Sequence, residues 1–157
     1  MTDLAARVVA AFRADAAAVP PMTLRGGDAV DRYETPPAYE PVTDQPGNAY
    51  LEAYAYGGLP YLDPASWRHY LPRLIDYALG RLGEPGSMVT EGLLASLRPP
   101  DREPPRLESL SAEQEAVVVA LLDVLAFDER SAHQAFAMQV LEEYWVPGAL
   151  YRKLRER

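Results

Sequence analysis

From Tyr61 to Leu82 the chain reads YLDPASWRHYLPRLIDYALGRL, with apolar residues at Trp67, Tyr70, Leu71, Leu74, Ile75, Ala78, Leu79 and Leu82. Spacings of this kind trace one buried face of an α-helix. Asp63 is placed to cap that helix, because its carboxylate can accept the free N–H groups of the first turn. Pro64 follows at the one position where a missing N–H costs nothing. Leu62 and Trp67 flank the cap and predict a hydrophobic staple. Pro72 removes the bond to the Arg68 carbonyl, so the pattern predicts a kink there.

A first helix is predicted from Asp3 to Ala18, capped by Thr2, with Leu4, Val8, Ala11, Phe12 and Val19 on its apolar side and Pro20-Pro21 ending it. Residues 22–60 show no long period. They carry many prolines and the pairs Gly26-Gly27, Pro46-Gly47 and Gly57-Gly58, which predict an irregular wrapping segment. Short strands at Met22–Leu24 and Tyr50–Tyr56 would make a small β-ribbon within it. Ser87 is a cap for a short helix to Leu97, and RPPDREPPRL, Arg98 to Leu107, predicts a stiff, exposed internal connector.

Ser111-Ala-Glu-Gln114 has capping-box spacing and opens a helix containing AVVVALLDVLAF, Ala116 to Phe127, in which Asp123 alone is polar. A helix apolar nearly all round is predicted to be central. Ser131-Ala-His-Gln134 repeats the capping pattern before Phe136, Ala137, Val140, Leu141, Tyr144 and Trp145. Pro147-Gly148 ends that helix, and the tail ALYRKLRER is a short basic helix or a fraying end. The expected fold is all-α or predominantly α. About five helices surround Ala116–Phe127, with the Asp63–Leu82 helix packed across it, in a single domain spanning residues 1–157.

Composition narrows the function classes. Of 157 residues, 48% are apolar, enough for a substantial core; 15 basic against 23 acidic residues leave a net charge of −8. That balance repels nucleic-acid phosphates and anionic lipid, so neither is an expected partner. No cysteine is present, which removes disulfides, thiolate metal sites and cysteine nucleophiles. No apolar run approaches the ~20 residues of a membrane span. The first residues carry acids at Asp3 and Asp15 and no basic n-region, so a secretory signal is not expected. A cytoplasmic location is expected.

Leu62, Asp63, Pro64, Trp67, Tyr70, Leu71 and Pro72 resemble a segment in a family of small, uncharacterised bacterial proteins, a domain of unknown function. That segment reads leucine, Thr/Asp-Pro, an aromatic, then Tyr-Leu-Pro. Leu107 to Leu125 is similar to the family's Leu-Ser/Thr-x-Glu-Gln helix start, and Glu143-Tyr144-Trp145 to its ending. Together these cover under half of the chain, and the tyrosine- and proline-rich stretch before Tyr61 departs from the pattern. The resemblance implies a helical fold and no particular activity.

Catalytic motifs are not found. There is no phosphate-cradling glycine loop and no G-x-S-x-G elbow. A metal site would need His69 and His133, the two histidines, to converge with carboxylates such as Glu142 or Asp76. His69 instead falls off the apolar stripe, towards Arg73 and Asp76, and Lys153, the sole lysine, lies in the tail. Arg68, Arg73 and Arg81 share the polar side of the central segment, where Arg73 and Asp76 have ion-pair spacing. No catalytic residue, cofactor or metal is predicted.

The charge pattern offers one candidate surface. Between Arg32 and Arg68 there is no basic residue, yet the interval holds Glu34, Glu40, Asp44, Glu52 and Asp63 with Tyr33, Tyr39, Tyr50, Tyr54, Tyr56 and Tyr61. Tyrosine suits an interface, being apolar in the ring and polar at the tip. Glu34, Tyr39, Glu40, Tyr50, Glu52, Tyr54 and Tyr56 are therefore candidate partner-binding residues. The expected function is a non-enzymatic acidic binding protein, immunity-like or an adaptor, whose partner is another, basic protein. The competing expectation is an enzyme or small-molecule binder with a polar pocket where Tyr54, Tyr56 and Tyr70 meet Arg68 and His69. In a third, the tyrosines simply pack a structural wrap onto the helices.

Overall fold

The computed structural model describes residues 2–152, among which the chain forms α-helices and no strand. In order these are α1 (Thr2–Ala11), α2 (Arg13–Ala17), α3 (Leu24–Asp31), α4 (Asn48–Gly58), α5 (Pro64–Gly80), α6 (Met88–Ser96), α7 (Ala112–Phe127) and α8 (Gln134–Val140). Short 3₁₀ turns lie at Leu59–Tyr61 and Leu107–Ser109 and a π-turn at Leu141–Trp145, and residues 150–152 are helical. The fold is helical, with eight α-helices among the described residues rather than about five. The expected Thr2 cap and the Lys153 tail lie outside the described side chains.

Helix α5 begins as its local chemistry dictates. Asp63 accepts the Ser66 N–H at 3.2 Å, Pro64 opens the first turn, and the helix continues through Pro72 to Gly80. One ladder bond is forfeited at Pro72, but Leu71, Pro72, Leu74 and Ile75 are all buried and hold the helix to its neighbours. Trp67 and Tyr70 are among the largest fully enclosed side chains. Helices α1, α2, α6 and α7 all touch α5.

Helix α7 has the expected capping box. The Gln114 N–H donates to Ser111 Oγ at 3.2 Å, and the Ser111 N–H donates back to Gln114 Oε1 at 3.0 Å. It packs against α1, α5 and α8. It is not enclosed all round, since Ala116, Asp123 and Phe127 form a solvent edge. The core is thus shared between α5 and α7 rather than centred on one apolar helix.

The largest correction concerns residues 22–60. They are not an irregular wrap with a β-ribbon; they fold as α3 and α4 with an irregular loop only over residues 32–47. Thr23 caps α3, accepting the Gly26 N–H at 2.7 Å. Tyr50–Tyr56 lies inside α4, where Leu51, Ala55 and Gly58 recur at helical spacing on the buried side. Two glycine pairs that look like turns in the sequence are the place where these helices cross. A Cβ on Gly27 would stand 2.5 Å from the Gly58 carbonyl oxygen, and one on Gly58 would run into the Leu24 carbonyl. The close approach outweighs the roughly 1 kcal/mol that each glycine costs in a helix. Gly58→Ala should accordingly lower stability by about 1–3 kcal/mol through overpacking, despite alanine's better helix propensity. A thermal melt tests this, and an unchanged or raised midpoint would show that the backbones have room.

Two smaller expectations also change. The segment 98–107 has no helix before Leu107, as its prolines predict, but it is not a free connector. Asp101 gathers the N–H groups of Arg102, Arg106 and Leu107 on Oδ1 and that of Glu108 on Oδ2, all within 2.9 Å. Ser131 does not form a capping box with Gln134. Its hydroxyl donates to the Leu125 carbonyl at 2.6 Å, and Gln134 reaches the Asp128 carbonyl instead. Residue His133 takes the N-cap position of α8 without a side-chain cap, its Nε2 lying 3.0 Å from the Glu84 carbonyl.

Candidate functional site

The seven candidate residues do not form one surface. Tyr50 is buried at 8% exposure, and its hydroxyl donates to Asp44 Oδ1 at 2.7 Å. Asp44, at 2% exposure, also accepts Arg25 Nε at 3.0 Å, Arg25 Nη2 at 2.9 Å and the Glu40 N–H at 2.8 Å. Burial pushes the Tyr50 hydroxyl well above its ordinary range, and the Asp44 carboxylate adds to this. Tyr54 is half-buried and meets the Tyr50 ring edge-on at 5.0 Å. Glu52 accepts the Tyr77 hydroxyl at 2.6 Å and stands 3.6 Å from Arg81. Burial and that carboxylate push Tyr77 up to about 12. Glu40 is exposed and closes on its own loop, accepting the N–H groups of Thr43 and Val42.

The fold therefore supplies cations that the local sequence lacks: Arg25 to Asp44 and Arg81 to Glu52. Glu34 lies 3.6 Å from Arg32. The polar pocket of the competing expectation is not assembled either. Tyr70 is sealed in the core, its oxygen accepting the Leu24 N–H. Arg68 pairs with Asp15 at 3.1 Å, and His69 Nδ1 lies 2.9 Å from the Asp15 carbonyl, so both fasten α2 onto α5. Tyr56 is instead directed to a cleft that neither of them lines.

What remains exposed is a tyrosine-bearing edge at the end of α3. Tyr33 is 99% exposed and sits at φ 60°, in the left-handed region. Its N–H donates to the Val30 carbonyl, and the Glu34 N–H donates to the Ala29 carbonyl. That pair of bonds is a Schellman ending, with tyrosine where glycine is usual. Tyr61 is exposed beside it, donating to Asp31 Oδ1 at 3.0 Å, a bond that raises its hydroxyl pKa. Tyr56 and Tyr39 are exposed as well, so of the seven candidates only these two present open rings. Tyr33 and Tyr61 belong to the tyrosine-bearing interval but not to the seven candidates, and Asp31 lies outside it, because the helix end that displays them was not foreseen.

Beside this edge opens a cleft of about 280 Å³, lined by Asp31, Tyr56, Ser96, Arg102 and Arg106 among others. Arg106 is 3% exposed; its Nη1 donates to the carbonyls of Leu59 and Leu62, and its guanidinium lies 5.2 Å from the Trp67 ring centre. Burial, with Arg102 alongside, pulls its pKa down to about 10. Among the described residues no group of three or more His, Asp or Glu side chains converges as a metal site, and no helix is long and apolar enough to cross a membrane.

A family model described as a family of unknown function, DUF6714, matches residues 1–149. The chain belongs to that family. Neither a curated protein nor a solved structure matches. The DUF6714 match spans every described helix, α1 to α8.

Proposed function

We propose that the chain is a non-enzymatic binding protein, immunity-like or an adaptor, that engages another cytoplasmic protein through the edge formed by Asp31, Tyr33, Tyr56 and Tyr61. The observation that carries this reading is Tyr33. A non-glycine residue in the left-handed region costs about 1–2 kcal/mol, and here it holds a ring that touches almost nothing in its own chain. Strain kept at an exposed aromatic residue fits a contact made with something else. Asp28, Asp31 and Glu34 around it favour a basic partner, with Arg32 the local counter-charge. In this reading the tyrosines supply affinity through buried area, whereas the acids steer association and set its salt dependence.

The test separates folding from binding. Tyr33→Gly should relieve the backbone and stabilise the protein by about 1 kcal/mol. The same change should lose the partner that the immobilised wild-type chain retains from a lysate of its source organism, read by quantitative mass spectrometry. A variant that is more stable and retains the same proteins would sink the proposal. Glu34→Gln should slow association with that partner and flatten its response to salt, with no effect on the melt.

A further inference from the structure

We propose that the cleft between Tyr56, Arg102, Arg106 and Asp31 binds a small zwitterionic α-amino acid, with its carboxylate against the two guanidinium groups and its ammonium towards Asp31. The cleft shares Asp31 and Tyr56 with the tyrosine edge, but the inference does not require a protein partner there. It begins from a buried cation that no carboxylate contacts among the described residues. A guanidinium removed from water is costly unless an anion or a full set of acceptors compensates it. Among the described residues only Nη1 of Arg106 has protein acceptors, the carbonyls of Leu59 and Leu62. Nε and Nη2 have no partner among the described residues, and neither atom is sealed from solvent. These two donors are therefore available where Arg106 lines the cleft.

Asp101 attracts Arg106 through space but makes no ion pair with it among the described residues. Both oxygens of Asp101 are occupied by four backbone N–H groups, those of Arg102, Arg106, Leu107 and Glu108. Arg102 adds a second cation to the same cleft, held there by donation to the Pro60 carbonyl. Two guanidinium groups with open donors suit a carboxylate, whose two oxygens match their planar fork.

Asp31 sets the class of ligand further. It lines the same cleft, and among the described residues it accepts only the Tyr61 hydroxyl and forms no ion pair with Arg102 or Arg106. A carboxylate there repels a dianion such as phosphate and attracts an ammonium group. The volume, about 280 Å³, lies at the small end of ligand pockets. Tyr56, Leu59 and Gly92 provide an apolar wall for a side chain. One anionic end, one cationic end and an apolar body describe an amino acid.

Titration of L-leucine into the isotopically labelled protein, followed by amide chemical shifts, tests the proposal. Saturable shifts are expected at Gly57, Gly92 and Ser96, which line the cleft. Arg102→Gln and Asp31→Asn alter exposed side chains and should leave the melt nearly unchanged. Each should weaken leucine about tenfold, the scale of one charge-assisted contact. N-acetyl-L-leucine, which lacks the ammonium, should bind the wild type more weakly than leucine does. Absence of saturable shifts with leucine would overturn the inference. So would full leucine affinity in Arg102→Gln, N-acetyl-leucine binding as tightly as leucine, or inorganic phosphate binding in preference to both.

Discussion

Replacing Asp44 by alanine should destabilise the protein by about 3–5 kcal/mol, the range for breaking a buried ion pair from one side. Four donors converge on this carboxylate: two guanidinium nitrogens of Arg25, the Glu40 N–H and the Tyr50 hydroxyl. The Asp44 side chain is fully enclosed, whereas that of Arg25 keeps 20% exposure. Arg25 can rehydrate in part, which places the loss towards the lower end of the range. The Tyr50 hydroxyl and the Glu40 N–H would lose this acceptor, and the loop of residues 32–47 would keep the bond from Arg25 to the Ala38 carbonyl but lose its ion pair with α3. Burial alone would raise the Asp44 pKa, but the bonds from Arg25, Glu40 and Tyr50 outweigh it and hold the carboxyl below its ordinary value. A depressed folded pKa stabilises above the unfolded value of about 4 and loses that contribution as pH falls through the folded pKa. Urea melts of the wild type should therefore show an acid limb below about pH 4. Asp44→Asn, less stable at pH 7, should flatten that limb. Equal acid sensitivity in the two proteins would place the responsible carboxylates elsewhere.

The legible part of this fold is the part whose signals are short in sequence. Asp63 and Ser111 cap bonds that close within three residues, so α5 and α7 could be read locally. Helices α3 and α4 could not. Their glycines score as breakers, and the compensation is a crossing between Gly27 and Gly58, remote in sequence. Ser131 shows the converse error, since its local pattern is that of a cap but its hydroxyl is taken by Leu125 six residues back. Charge misled for the same reason. The acids of residues 34–52 look uncompensated along the chain, yet Arg25 and Arg81 reach Asp44 and Glu52 from other helices. Arg106, inside a proline-rich run, reads as exposed; burial against Leu59 and Leu62 depends on partners 47 and 44 residues away. The charge pattern picked out exposed Tyr56 and buried Tyr50 alike, whereas the role of Tyr33 required knowledge of where α3 ends.

Leu121→Ala should cost about 2–5 kcal/mol, comparable to other large-to-small changes in packed cores. Leu121 has no exposed surface and lies on the inner side of α7, the helix that joins α1 and α5 to α8. Truncation there removes contacts that cannot be recovered by a single side chain, because helices on several sides would have to move to close the void. Phe127, on the same helix, supplies the contrast. It is equally apolar in the sequence pattern but 65% exposed, so Phe127→Ala should stay within about 0.5 kcal/mol. Sequence alone ranks the two alike, since α7 is apolar nearly all round; only its packing distinguishes them. Chemical denaturation of both variants measures that distinction directly. A Phe127 loss as large as the Leu121 loss would mean that α7 presents a different face to the core. The packing of α1, α5 and α8 described here would then be wrong.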